Sequence, residues 1–273
     1  MLFRSMTKHF FAEKPSIPTW GEWNDAAAES LRRVVDERGG EIAAIICEPV
    51  FQAANAMNFY HPEYLREMRR LCDERGMQLI FDEIAAGFYR TGPLWAHSRA
   101  GITPDIMTVG KALTGGHMTL AATLASGKVA DTISNGRPSA FMHGPTYMAN
   151  PLACAAACAS LDLFAKGDYE ANAKRIESVF ARRIMPLKAL SNVVDVRVLG
   201  AAAVVEVHRM PAQSDISRII RDSGVWLRPF GNFIYSMPPL VADDRTIDRI
   251  GFALMGLAAS PPGPPPEDGD FHE

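Results

Sequence analysis

Short apolar runs that alternate with a helical stretch constrain the fold of this chain more than any other feature. Residues 42–47 and 77–81 read as buried strands. Between them, apolar side chains recur at helical spacing from Pro62 to Gly76, a proline start and a glycine stop. Strand, helix and strand at this density form a right-handed crossover unit of a parallel sheet. The sequence therefore predicts an α/β fold with a mainly parallel sheet.

Two charged residues follow apolar runs. Asp82 ends the run at residues 77–81, and Lys111 closes a second run at residues 106–109. Ligands bind at the carboxyl ends of strands in such sheets. A carboxylate and an amine in one crevice suit pyridoxal phosphate, because a lysine holds it as a Schiff base and an aspartate pairs with its ring nitrogen. The alternatives are that Lys111 is a surface charge, that Asp82 caps a turn, and that Glu83 is the important acid.

Further along the chain we predict a helix at residues 150–164 and a domain boundary at Gly167. Helices are then predicted near residues 173–190 and 216–222 and in the stretch that ends at 258. Strands are predicted at residues 193–198, 203–207, 225–227 and 233–235. This alternation predicts a small C-terminal α/β domain. The proline-rich, acidic tail at residues 259–273 is predicted to be disordered.

Three segments together resemble the class III, fold-type I aminotransferases: residues 81–96 (FDEIAAGFYRTGPLWA), 104–116 (PDIMTVGKALTGG) and 143–157 (HGPTYMANPLACAAA). The likeness extends from about residue 3 to residue 257. It implies a partial large domain at residues 1–166, which binds pyridoxal phosphate, and a small domain at residues 167–258. It also implies that the N-terminal third of the family is missing, so we expect a fragment with little transaminase activity of its own.

The resemblance implies roles for single residues. Lys111 holds the cofactor and shuttles a proton, and Asp82 pairs with the ring nitrogen. The turn Gly144-Pro145-Thr146 reaches the cofactor phosphate of a neighbouring subunit in a homodimer. Taken alone, this tripeptide is only a turn.

The resemblance also implies substrate contacts. Arg228 grips a substrate carboxylate through its planar fork, and Glu48 pairs with a mobile arginine. Phe230 and Tyr235 line the same pocket. The alternatives are a structural ion pair for Arg228, a strand-end charge for Glu48 and core positions for the two aromatic residues.

Within this family the resemblance favours amino transfer from S-adenosylmethionine to 8-amino-7-oxononanoate, a step of biotin synthesis. The alternatives are an ω-aminotransferase of the ornithine or 4-aminobutyrate type, and a non-catalytic remnant. Two positions depart from the family pattern. Tyr89 stands where a glycine is usual, and residues 52–57 replace a glycine-rich loop.

Composition excludes other classes of protein. With 28 basic and 31 acidic residues, the chain has no basic surplus for nucleic acid or an anionic membrane. Its longest apolar stretch, residues 151–159, is too short to span a bilayer. The four cysteines have no metal or redox spacing, which predicts no metal site and a reducing cytoplasm: Cys47, Cys72, Cys154 and Cys158.

Overall fold

The computed structural model describes residues 9–263, which divide into two compact units. The first unit comprises the described residues up to Gly87 together with Trp95–Ala165. The second comprises Phe88–Leu94 and the described residues from Lys166 onward. None of the helices in residues 9–263 has the length and apolar character needed to cross a bilayer.

The first unit is built on a sheet of mainly parallel strands. The strands of this unit are β1 (Ala44–Cys47), β2 (Phe51–Gln52), β3 (Asn58–Phe59), β4 (Gln78–Asp82), β5 (Ile106–Val109) and β6 (Ala122–Ala125), of which β2 and β3 form a separate antiparallel pair. The main sheet has the order β1-β4-β5-β6, in which β1, β4 and β5 are parallel and β6 is antiparallel to β5. The predicted α/β class with a mainly parallel sheet is confirmed.

Helices of the first unit are α1 (Glu29–Arg38), α2 (Glu63–Arg75), α3 (Gly127–Ser134) and α4 (Pro151–Lys166). The crossover helix α2 follows the predicted pattern: Leu65, Met68 and Leu71 are buried along one face. It ends at Gly76, whose φ of 69° is left-handed, a conformation that glycine adopts without steric cost. Proline entry and glycine exit therefore set the length of α2 and the point at which β4 begins.

The second unit is a three-stranded antiparallel sheet covered by helices. Strands β7 (Val193–Leu199), β8 (Ala202–Val207) and β9 (Phe233–Ser236) lie in that order. The helices are α5 (Tyr169–Ile184), α6 (Gln213–Ser223) and α7 (Asp244–Ala259). Buried apolar residues of the sheet and the helices form one core, which includes Ile176, Phe180, Val196, Val205, Ile234, Ile247 and Leu254.

Residues 88–94, which we call the strap, belong to the second unit although their neighbours in sequence belong to the first. The Arg90 guanidinium donates to the carbonyl oxygens of Ala201, at 2.9 Å, and Pro238, at 2.8 Å. The Ala201 N–H donates in return to the Arg90 carbonyl oxygen. Burial lowers the pKa of the Arg90 guanidinium to about 10. The strap thus contributes a buried cation whose recorded partners are backbone carbonyls.

The predicted disordered tail needs a correction for its first residues. Pro262 forms a β-bridge with Pro211, and the Gly263 N–H donates to the Met210 carbonyl oxygen at 2.8 Å. These backbone contacts fix the chain beside the start of α6 as far as Gly263. The rest of the predicted tail, residues 264–273, lies outside the described residues.

Candidate active site

Asp82 is the last residue of β4 and is paired in register with Thr108 on β5. Its Oδ1 accepts the Ile84 N–H at 2.9 Å, which leaves Oδ2 for another donor. The Thr108 hydroxyl is buried and has no hydrogen-bond partner in the part of the chain that the structure describes. Because paired residues project from the same face of a sheet, an unused hydroxyl lies beside Asp82. The surroundings of Asp82 therefore include a buried polar atom that lacks a partner.

Lys111 begins the short 3-10 helix Lys111–Thr114, just after β5. Its φ of 47° lies in the left-handed region, which is uncommon for a residue with a side chain. The next residue, Ala112, accepts a 3.0 Å hydrogen bond from the Ser160 hydroxyl of α4. Strained backbone of this kind persists where the surroundings enforce it, and it clusters at functional sites. The Lys111 side chain itself is exposed.

Glu48 follows β1 directly, and its carboxylate accepts the Ala54 N–H at 3.3 Å. Burial raises the pKa of the Glu48 carboxyl, and the N–H groups of Ala54 and Ala53 oppose this shift. The charge of Asp82 raises the same pKa further, while that of Lys111 lowers it. Three predicted residues thus lie at the carboxyl ends of three adjacent parallel strands, and the charges of Asp82 and Lys111 both act on the Glu48 carboxyl.

A tyrosine that the sequence analysis did not single out, Tyr60, binds the backbone of Glu48. The Tyr60 hydroxyl donates to the Glu48 carbonyl oxygen at 2.7 Å and lies 3.6 Å from the Cys47 sulfur. Burial raises the pKa of the Cys47 thiol to about 12, so this thiol stays neutral at physiological pH. No residue pattern reveals this contact, because the acceptor is a backbone atom.

Glu83 is the alternative to Asp82 as the important acid, and its hydrogen bonds show what it does locally. Its side chain is fully buried, at 0% exposure. Oε1 accepts the His97 N–H at 3.0 Å and lies 2.8 Å from His97 Nδ1, while Oε2 accepts the Ala96 N–H at 3.0 Å. Both oxygens are therefore engaged in tying residues 96–97 to the end of β4. Asp82, with one oxygen unengaged, is the better placed acid of the pair.

The predicted phosphate-binding turn is exposed along its whole length. Gly144, Pro145 and Thr146 are all accessible to solvent, and the Pro145 carbonyl accepts the Met148 N–H at 2.9 Å. Helix α4 begins just beyond the turn, where Asn150 Oδ1 accepts the Ala153 N–H at 2.9 Å. The turn is therefore a surface feature held at the N-terminal end of α4.

The predicted substrate residues lie in the second unit. Arg228 is exposed and has no ion pair within residues 9–263, so the structural ion-pair alternative finds no support there. Phe230 is 58% exposed and exchanges two 2.9 Å backbone hydrogen bonds with Phe233. Tyr235 is half-buried on β9. A core position is therefore excluded for Phe230.

Both departures from the family pattern coincide with left-handed backbone. Tyr89 has a φ of 65°, and its neighbour Phe88 has a φ of 52°. In the loop that replaces the glycine-rich segment, Ala56 and Met57 have φ values of 57° and 50°. Such conformations cost a residue with a side chain about 1–2 kcal/mol. The backbone thus has conformations here that glycine would adopt more easily.

The Aminotransferase class-III family model matches residues 2–255. The adenosylmethionine-8-amino-7-oxononanoate aminotransferase of Buchnera aphidicola subsp. Schizaphis graminum is 44% identical over 245 residues, 90% of this chain and 57% of that relative. The protein of the same name from Corynebacterium glutamicum is also 44% identical, over 88% of this chain and 57% of its own length. This chain therefore spans little more than half the length of these relatives.

Solved structures share the fold. The adenosylmethionine-8-amino-7-oxononanoate aminotransferase of Methanocaldococcus jannaschii aligns with a TM-score of 0.76 at 28% identity, over 84% of this chain and 56% of its own. An amine transaminase from an uncultivated Pseudomonas species, in its PLP-bound form, aligns with a TM-score of 0.77 at 32% identity, over 85% and 56%. No group of three or more potential metal ligands occurs within residues 9–263.

Because the Aminotransferase class-III family model covers nearly all of the length of this chain, the chain belongs to the class III aminotransferases.

Proposed function

We propose that this chain carries the lysine and the aspartate of a pyridoxal-phosphate-dependent aminotransferase. One observation carries the proposal: Glu48, Asp82 and Lys111 lie at the carboxyl ends of β1, β4 and β5, and the charges of Asp82 and Lys111 both act on the Glu48 carboxyl. The left-handed φ of Lys111 also supports it, because strained backbone conformations cluster at functional sites.

The residues present fit the cofactor. Lys111 offers an amine that would hold it covalently, and Asp82 Oδ2 would accept a hydrogen bond from its ring nitrogen. The unpartnered Thr108 hydroxyl is a further polar group in position for a ligand. When bound, the cofactor supplies an electron sink for the substrate carbon. Asp82 would favour the protonated ring nitrogen, and the Lys111 amine would move a proton to and from that carbon.

The proposed reaction transfers an amino group from S-adenosylmethionine to 8-amino-7-oxononanoate, as the names of relatives that are 44% identical indicate. Arg228 would bind a substrate carboxylate, because its exposed guanidinium has no ion pair among residues 9–263. Phe230 and Tyr235 would line the pocket. The proposed domains are a large domain at residues 1–166, which contains Lys111, and a small domain at residues 167–258, which contains Arg228.

The complete protein is proposed to be a cytoplasmic homodimer. Gly144, Pro145 and Thr146 would serve the cofactor phosphate of the partner subunit, because the turn is exposed and presents backbone and hydroxyl groups to an anion. Exposed apolar residues next to the turn support an interface there, since Phe141 is 73% and Tyr147 is 83% accessible.

A second candidate is a chain that folds without holding the cofactor by itself. The exposure of Lys111 favours it, because water reaches an amine that the reaction needs to keep from solvent. This candidate predicts no specific covalent adduct with pyridoxal phosphate.

Trapping the adduct separates the two candidates. The chain is incubated with pyridoxal phosphate, reduced with borohydride, digested and mapped by mass spectrometry. We expect the adduct on Lys111, its loss in Lys111→Ala, and its retention in the control Lys128→Ala, which removes an exposed lysine from α3. An adduct spread over several lysines, or mapped elsewhere, contradicts the proposal. Amino transfer from S-adenosylmethionine, ornithine and 4-aminobutyrate then tests the donor.

A further inference from the structure

The Thr108 hydroxyl on β5 is buried and has no hydrogen-bond partner among residues 9–263. A threonine hydroxyl can donate one hydrogen bond and accept two, and leaving it buried and unpaired destabilises the folded chain. The backbone of the same residue is engaged, because the Thr108 carbonyl oxygen accepts the Glu83 N–H at 2.9 Å. The unused polar group is therefore the side chain alone, and a buried polar atom in this state needs a specific explanation.

Two polar side chains lie beside Thr108 on the same face of the sheet. Asp82 of β4 and Thr123 of β6 are both paired with it, and neighbouring strands are about 4.8 Å apart. Thr123 is exposed, so water can hydrate its hydroxyl. Asp82 is half-buried, and the one recorded donor to its carboxylate within the described residues is the Ile84 N–H, at Oδ1. Asp82 thus has acceptor capacity directly beside the unused hydroxyl.

Of these two neighbours, Asp82 is the stronger acceptor. An ionised carboxylate has about four lone-pair sites and can accept several hydrogen bonds at once. A hydrogen bond to an ionised acceptor is roughly twice as strong as one between neutral groups. The neutral hydroxyl of Thr123 is therefore the weaker partner for Thr108.

We propose that Thr108 is a positioning residue for Asp82: its hydroxyl donates to the Asp82 carboxylate when that carboxylate binds the ring nitrogen of pyridoxal phosphate. This inference rests on the proposed function. The positive ring nitrogen holds the carboxylate ionised and in one orientation, and the Thr108 hydroxyl reaches it by rotation between staggered χ1 positions. The ring atoms on either side of the nitrogen are carbons, which offer Thr108 no acceptor. Thr108 therefore acts through Asp82.

The test measures cofactor affinity by equilibrium dialysis of the complete chain, with pyridoxal phosphate and with its 1-deaza analogue, which has a C–H group in place of the ring nitrogen. Thr108→Val keeps the shape of the side chain and removes the hydroxyl. We expect it to weaken binding of pyridoxal phosphate about tenfold and binding of the analogue less than about twofold. Thr108→Ser, which keeps the hydroxyl, is expected to retain the affinity of the parent chain.

Two further variants separate this role from a general effect of the substitution. The control Thr123→Val removes the exposed hydroxyl on the other side of Thr108 and is expected to leave both affinities unchanged. In an Asp82→Asn background, Thr108→Val is expected to have no further effect on the affinity for pyridoxal phosphate. Such non-additivity identifies two side chains that act as a unit.

Urea unfolding without the cofactor gives an independent readout. Because the Thr108 hydroxyl is unpaired in the unliganded chain, Thr108→Val is expected to unfold at the same urea concentration as the parent chain or at a higher one. A hydroxyl with a structural role gives the opposite result, a lower unfolding midpoint in Thr108→Val.

Three outcomes overturn the role of Thr108 and leave the proposed function in place: equal affinity of Thr108→Val and the parent chain for pyridoxal phosphate, equal weakening for both compounds, and an undiminished effect of Thr108→Val in the Asp82→Asn background. A lower urea midpoint in Thr108→Val likewise overturns it. A parent chain that binds neither compound contradicts the proposed function, and the role of Thr108 with it.

Discussion

Glu83→Ala is expected to destabilise the first unit strongly, because it removes the acceptor of three buried contacts. The lost partners are the N–H groups of Ala96 and His97, each at 3.0 Å, and His97 Nδ1 at 2.8 Å. A buried donor left without a partner costs about 1–3 kcal/mol. Because the three groups are neighbours, their costs are not additive, and we expect a total of about 3–5 kcal/mol.

The measurement is urea unfolding, combined with hydrogen exchange of the Ala96 and His97 amides. Glu74→Ala is the matched control, since its i,i+4 ion pair with Arg70 is exposed and contributes about 0.5 kcal/mol or less. Glu83→Gln should be intermediate, because its single carbonyl oxygen replaces only part of the acceptor. If Glu83→Ala unfolds at the same urea concentration as Glu74→Ala and protects both amides equally well, the buried contacts do not stabilise this unit.

Three further predictions concern other parts of the chain. Gly200→Ala should cost about 2–5 kcal/mol in the second unit, because its φ is +56° and the new Cβ would lie 2.6 Å from the strap backbone. The control Gly224→Ala, with left-handed φ but open space, should cost about 1–2 kcal/mol in urea unfolding. In Glu67→Gln the free energy of unfolding should fall less steeply with decreasing pH than in the parent chain. Hydrogen bonds, above all from Arg70, lower the pKa of Glu67 to about 2. The stabilisation by Glu67 is therefore complete above about pH 4.5 and is lost as the pH falls towards 2. An equally steep limb in the variant would contradict this. Arg228→Lys should weaken carboxylate binding at least tenfold, at about 1.5–3 kcal/mol for each charge-assisted hydrogen bond lost. Unchanged half-reaction kinetics would exclude Arg228 as the carboxylate site.

The sequence predicted elements that depend on local pattern. Strand β4 and strand β5 were readable because short apolar runs end at a charged residue, and α2 because proline and glycine mark its ends. The strand predicted at residues 225–227 does not form. Those residues follow α6 without a ladder partner, and Pro229 lacks the N–H that would continue a strand. Helix α3 was missed because it spans only eight residues, too few for a helical period to stand out in the sequence.

Candidate site residues were predictable where a residue type implies its chemistry, as for Asp82 and Lys111. The contacts around these residues were not predictable. Glu83 and His97 are separated by 14 positions and meet through a loop, and the Tyr60 hydroxyl binds a backbone oxygen. A left-handed φ at Lys111 likewise depends on tertiary packing, which no single-residue preference encodes.

The strap has a consequence for how the chain leaves the ribosome. Arg90 precedes its acceptor Ala201 by 111 positions and its acceptor Pro238 by 148. At about 5–20 residues per second, the guanidinium emerges roughly 7–30 s before the second carbonyl exists. During that interval a cation destined for burial remains hydrated on the nascent polypeptide. A translation product that stops short of Pro238 would therefore contain the strap but lack one of the two carbonyl oxygens that accept hydrogen bonds from Arg90.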